Sequence, residues 1–282
     1  MSDIFSVPQI GPGSQPGDED GGALEYMQMP SGMITFAAPD LPEPEDIENI
    51  DGALAALEKT LTLLNGYESD GAHNIVELGG LDANNLAFVN QALGEGEVSA
   101  IGDNAAQAQE SVLAGVWRVR LTDPDGAVIR DVIEVASFPT LLRAMAFEGA
   151  KARVDIPETF GEDVFNAPPL LPEINEHAPR IGPGSPSHVI NLSLLPHTEA
   201  DLGFLNERLG VGRLIILSRG YGNCRVDATA TRNVWWVRFF NSQDTLILNS
   251  IEIADIPDVA LAAPEDIADS AERLDEILEI YR

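Results

Sequence analysis

Residues 88–97 read FVNQALGEGE, and residues 204–213 read FLNERLGVGR. Phe88 and Phe204, Asn90 and Asn206, Leu93 and Leu209, Gly94 and Gly210, and Gly96 and Gly212 stand at one constant offset of 116 positions. Two readings compete: a glycine-rich ligand loop used twice, or the corner of a unit that the chain builds twice. The flanks favour the second. VELGG (76–80) and LSLLP (192–196) read as short strands. Each leads to a good N-cap, Asp82 or Thr198, whose side-chain oxygen can accept from a free amide of the first helical turn. Leu86, Val89 and Leu93 then share one helical face, as do Leu202, Leu205 and Leu209. Gly94 and Gly210 suit the helix stop, because glycine takes positive φ at no steric cost. Strands EVSAI (97–101) and RLIIL (213–217) follow.

After a two-residue difference in length the copies rejoin at an offset of 118. VWRVRL (116–121) matches VWWVRF (234–239), and IEVASFP (133–139) matches IEIADIP (251–257). Segments 123–126 and 241–244 between them read as hairpin turns. Each copy therefore reads as a strand, a helix and then several strands ending in a hairpin. That order predicts an α+β protein of two similar repeats, each a sheet with a helix on one face. GEG and GVG are not dinucleotide fingerprints. The third glycine would fall at 99 and 215, where Ser99 and Ile215 stand, and these glycines close a helix rather than open one.

Working outward, residues 1–45 are rich in Gly, Pro, Asp and Glu and read as a disordered acidic arm. Ile47, Ile50, Leu54, Leu57, Leu61 and Leu64 form one stripe of an amphipathic helix over 46–66. The first repeat then spans 72–147. A Pro- and Gly-rich linker with one short helix spans 148–187, and the second repeat with a C-terminal helix spans 188–282. Ile267, Ala271, Leu274, Leu278 and Tyr281 stripe that last helix, with Pro264 suited to its first position.

The copies differ on one sheet face. In copy one, alternation sets Trp117, Val119 and Leu121 against Arg118, Arg120 and Thr122. In copy two the second face is apolar at Trp236 and Phe240, and Leu246 and Leu248 replace Val128 and Arg130. The C-terminal helix is expected to cover part of this excess. What it leaves open, at Trp236, Phe240, Leu246 and Leu248, is the candidate partner-binding surface.

Sixteen Lys and Arg against 46 Asp and Glu give a formal charge of −30. Phosphate backbones and anionic membrane surfaces are poor partners for such a chain, and a basic segment is a better one. One cysteine, Cys224, cannot build a disulfide framework or a cysteine-based metal site within one chain. It reads as a small buried hydrophobe on a strand start. His73, His177, His188 and His197 lack metal-ligand spacing, and no GxSxG elbow occurs. Asn90 and Asn206 are expected to bond nearby backbone at the helix ends. The first residues carry no basic n-region or apolar h-region, and no apolar run reaches about 18 residues, so the expectation is a cytoplasmic protein.

INLSLLP (190–196), EADLGFL (199–205), GYG (220–222), NVWWVRF (233–239) and the long run 252–278, with GPGSQP (11–16), LGEGEVS (93–99) and GVWRVRL (115–121), complete the pattern. Together they resemble the HupH/HyaF/HoxQ family of [NiFe]-hydrogenase expression proteins, its HoxQ-type members above all. The resemblance implies a maturation factor rather than an enzyme, with no cofactor and no catalytic residues to carry over. It implies action on the iron–sulfur small-subunit precursor before twin-arginine export, especially under oxygen, beside a thioredoxin-like HyaE/HoxO-type partner. Two other classes stay open: iron–sulfur delivery or thiol redox chemistry through Cys224, and hydrolysis at a site without a sequence signature.

Overall fold

The computed structural model describes residues 41–282 except Ile47, Ala72, Asn104 and Tyr221. The expected arm over 1–40 and Ile47 of the helix stripe lie outside the described residues. Leu41 packs on the core, and the Pro42 carbonyl accepts from the Tyr281 hydroxyl at 2.6 Å. Helix α1 runs Asp51–Asn65 rather than from 46, because Asn49 sits at φ 61°, which a right-handed helix cannot include. Ala53, Ala56, Leu57, Leu61 and Leu64 form its buried stripe. No side chain of its own caps α1. The Ala53 amide instead donates to Asn85 Oδ1 at 2.7 Å, from a helix 32 residues further on.

The first copy continues as β1 (Ile75–Glu77), α2 (Ala83–Leu93), β2 (Val98–Gly102), β3 (Ala106–Glu110), β4 (Val116–Thr122), β5 (Val128–Val135) and α3 (Thr140–Ala146). Then come α4 (Leu170–His177), β6 (His188–Asn191), α5 (Glu199–Leu209), β7 (Leu214–Ser218), β8 (Asn223–Ala228), β9 (Val234–Phe240), β10 (Leu246–Ile253) and α6 (Pro264–Glu279). LSLLP is therefore not the strand of copy two. It lies just past β6, where Leu192–Leu194 turn as a 3-10 helix held by Asn191 Oδ1 accepting from the Ser193 amide.

Local chemistry repeats bond for bond. Asp82 caps α2 by accepting from the Asn85 amide, and Thr198 caps α5 by accepting from the Asp201 amide, there within a capping box. Gly94 and Gly210 end these helices at φ 56° and 69° with extended ψ, a conformation open essentially to glycine alone. Asp123 Oδ1 accepts from the amides of Asp125 and Ala127 in one hairpin, and Asn241 Oδ1 from those of Gln243 and Thr245 in the other. The Trp117 indole donates to the Ala136 carbonyl at 2.9 Å and Trp235 to Ala254 at 3.1 Å. Both tryptophans are fully buried.

The copies do not form separate sheets. All ten strands make one antiparallel sheet in the order β1-β5-β4-β3-β2-β7-β8-β9-β10-β6. That order is a palindrome about the β2–β7 pair. There Ala100 faces Ile216, its own counterpart at an offset of 116, so an approximate two-fold axis passes between them. One sheet face buries Trp117, Val119, Trp235 and Val237 with Phe138, Leu142 and Ala146 of the α3 region. Phe147 of copy one packs edge-on against Trp235 of copy two at 4.8 Å.

Each copy also sends its tail to the other. Segment 148–187 does more than link: Val154, Ala167, Leu170, Leu171 and Ile174 fill the core beneath α5, with Val234, Ile251 and Ile253. Asp201 secures the crossing, its Oδ1 accepting from the amides of Phe165, Asn166 and Ala167. Helix α6, expected over copy two, instead packs against α1 with Leu113, Val116, Ile133 and Val135 of copy one. One residue makes room for it. A Cβ on Gly115 would run into the Ile267 side chain of α6, whereas copy two has Asn233 at the matching position. The Asn233 amide reaches the Ala178 carbonyl at 3.0 Å, beside the short helix that copy two uses instead.

Candidate partner-binding face

The second sheet face is covered only at opposite corners. α1, α2 and α6 lie over Val116 and Val135, while α4 and α5 lie over Val234 and Ile253. Between the corners the strand register brings Arg118, Arg120, Gln107, Ile101, Ile215, Leu217, Arg225 and Arg238 to one face. Asp131 takes a bidentate pair from Arg118 and lies 3.6 Å from Arg120. Asp227 serves Arg225 and Arg238. Asn90 does not bond nearby backbone with its side chain, for its Oδ1 accepts from Arg118 at 2.7 Å. Its counterpart Asn206 is exposed.

The four sequence-chosen residues do not share this face. Trp236 does, opposite Asp227 and Ile251, with its indole donating to Asn249 Oδ1 at 2.6 Å. It is part-buried against the α4–α5 core, so much of its surface is already spent on packing. Phe240 and Leu246 pair with each other across β9 and β10 on the same face, and Leu246 is 42% exposed. Leu248 pairs with Phe239 and so belongs to the Trp235 side. A bulge between Leu246 and Leu248 makes the difference, because one extra residue reverses the alternation beyond it. Copy one carries the same bulge, and its tip residues Val128 and Ile129 are as exposed as Leu246 and Ile247. Of the contrast expected from the sequence, what remains on this face is Trp236 for Arg118 and Phe240 for Thr122.

Cys224 lies inside the Trp117–Trp235 core at 1% exposure. Burial, reinforced by the Glu252 and Asp227 carboxylates, pushes its thiol up to about 12, so it stays protonated at neutral pH. The His177 and His188 rings stack at 3.6 Å, and His188 Nε2 meets Glu173 Oε1 at 2.7 Å. Among the described residues no group of three or more His, Cys, Asp or Glu is placed to hold a metal ion. No helix among them is long and apolar enough to cross a membrane. Sequence reasoning missed the arginines as a group, since they sit on three strands; the local sign was their alternation with the apolar residues of β4, β8 and β9.

Known proteins align with the chain over nearly its full length. It is 46% identical to the hydrogenase expression/formation protein HoxQ of Cupriavidus necator, covering 97% of both chains. It is 45% identical to HupH of Rhodobacter capsulatus over all of both chains, and 32% identical to the hydrogenase-1 operon protein HyaF of Escherichia coli over 98% of this chain and 96% of that one. A solved structure, the hydrogenase expression protein HupH from Thiobacillus denitrificans, is 32% identical and covers 40% of this chain and 95% of its own, with a TM-score of 0.38. The family model described as the HupH hydrogenase expression protein, C-terminal conserved region, matches residues 48–160 and 164–281, one match for each copy with its leading helix. The protein described here therefore belongs to the HupH family of hydrogenase expression proteins.

Proposed function

We propose that this protein is a non-enzymatic accessory factor in [NiFe]-hydrogenase maturation, which holds the iron–sulfur small-subunit precursor in the cytoplasm before twin-arginine export. The observation that carries this is the whole-length likeness to proteins named for hydrogenase expression and formation. The formal charge of −30 supports a basic client segment, of which a twin-arginine signal is one, because acidic surfaces steer basic partners in. The rim at Phe240 and Leu246, on a sheet face that no helix covers there, supports apolar contact with the client. A thioredoxin-like factor of the HyaE/HoxO type acts beside it, and protection matters most under oxygen. The thiol-dependent alternative gains no support from Cys224, which is buried and protonated.

The test is capture of the small-subunit precursor, with and without its signal segment, by the purified protein and by its Trp236→Ala and Phe240→Ala variants. Binding by the parent protein that drops at least tenfold in folded Phe240→Ala supports the reading. Lack of capture by the parent protein removes the holding role, and undiminished capture by both variants removes this face.

A further inference from the structure

The uncovered strip of the second sheet face has a charge opposite to that of the chain as a whole. Four of the 14 arginines of this acidic protein meet there, Arg118, Arg120, Arg225 and Arg238, against two aspartates, Asp131 and Asp227. The two-fold axis runs through the middle of the strip. Ile101, Ile215 and Leu217 form an apolar centre at the axis, with Ile101 44% exposed. Arg120 and Arg238 are counterparts at an offset of 118 and stand on either side of it. Asp131 is already engaged by Arg118 through both oxygens, so Arg120, with 44% of its side chain exposed, has charge to offer outward. Helix α2, which borders the strip, bears no charged side chain to oppose it.

We propose that this strip docks one acidic helical segment of a partner protein, apolar in its middle and carrying carboxylates towards both ends. Arg120 and Arg238 are separated by five inter-strand steps, about 25 Å. A helix of roughly 16 residues spans that distance at 1.5 Å per residue. The apolar centre at Ile101, Ile215 and Leu217 is what α2 and α5 leave uncovered, and apolar surface of a sheet is ordinarily covered by helix. The strip is distinct from the rim at Phe240 and Leu246 proposed for the basic client, at the turn end of β9 and β10 on the same face, and the two segments have opposite charge, so the two dockings are tested separately.

Two measurements test it. In cells making hydrogenase, a photo-crosslinking residue at exposed Gln107 is expected to capture a peptide with net negative charge and an apolar centre. Capture of a basic segment, capture of a second copy of this chain, or no crosslink at all overturns the proposal. With purified protein, a synthetic 16-residue helix with Leu and Ile in its middle and Glu at both ends is compared with its Lys twin. The Glu peptide is expected to bind, to weaken with salt, and to lose at least tenfold on combined Arg120→Glu and Arg238→Glu. Equal binding of the Lys twin, or indifference to the reversal, overturns it. Should the double variant unfold, Arg120→Gln alone is expected to weaken the Glu peptide threefold or more, and no change refutes the docking.

Discussion

Glu110 is the most informative perturbation in the fold. It ends β3 at 8% exposure, with Oε1 accepting from the Gly115 amide at 3.2 Å and the Val98 amide also turned towards the carboxylate. Burial, and then repulsion from the Glu97 and Asp266 carboxylates, raises its carboxyl to about 7. An unfolded glutamate titrates near 4.5. Between those values the folded state holds a proton that the unfolded state has released. The stabilising contribution is therefore complete below about pH 4.5 and is lost as pH rises through 7. Two and a half units at about 1.4 kcal/mol each make roughly 3 kcal/mol, a large share of the 5–15 kcal/mol that holds a typical domain. Glu110→Gln removes the titration and keeps the shape. In urea unfolding from pH 5 to 9, parent and variant should match near pH 5, and the variant should be more stable by about 3 kcal/mol at pH 8.5. Histidines and other carboxylates titrate in both proteins and drop out of the difference. Parallel pH curves for the two proteins would refute the buried-carboxylate reasoning.

Asp201 behaves in the opposite sense. Amides of Thr198, Ala167, Asn166 and Phe165 outweigh burial and hold its carboxyl down at about 2, so its contribution is present above pH 3.8 and lost as pH falls towards 2. Asp201→Asn should flatten acid melting curves between pH 4 and 2, and Asp201→Ala should cost about 2–4 kcal/mol at neutral pH by leaving three amides of the crossing segment unmatched. Leu274→Ala, at a fully buried α6 position, should cost about 2–5 kcal/mol and weaken hydrogen-exchange protection of α1 more than that of α5. Cys224 should resist a thiol reagent in the native protein at pH 8 and react at once in urea; stoichiometric labelling of the native protein within minutes would contradict its burial.

The repeat, its helix caps and the inward tryptophans were all legible in the sequence, because each is a local matter. Asp82 and Thr198 act on amides three residues away, Gly94 and Gly210 answer a backbone angle, and Trp117 and Trp235 sit on alternating strands. The family too was legible, since its motifs are contiguous runs. What only the tertiary structure decided concerns residues distant in the chain. The joining of two sheets into one rests on β2 meeting β7, a pairing between segments 116 residues apart that no periodicity encodes. The destination of α6 rests on its stripe packing on α1 and the core of copy one, with Ile267 in the space left by Gly115, 152 residues away, and Gly115 against Asn233 was its one visible trace. The site residues divide for a similar reason. Alternation places Trp236 and Phe240 correctly, but it fails at Leu248, because a single bulge residue inverts the parity of a strand and period-two reasoning has no means of counting it.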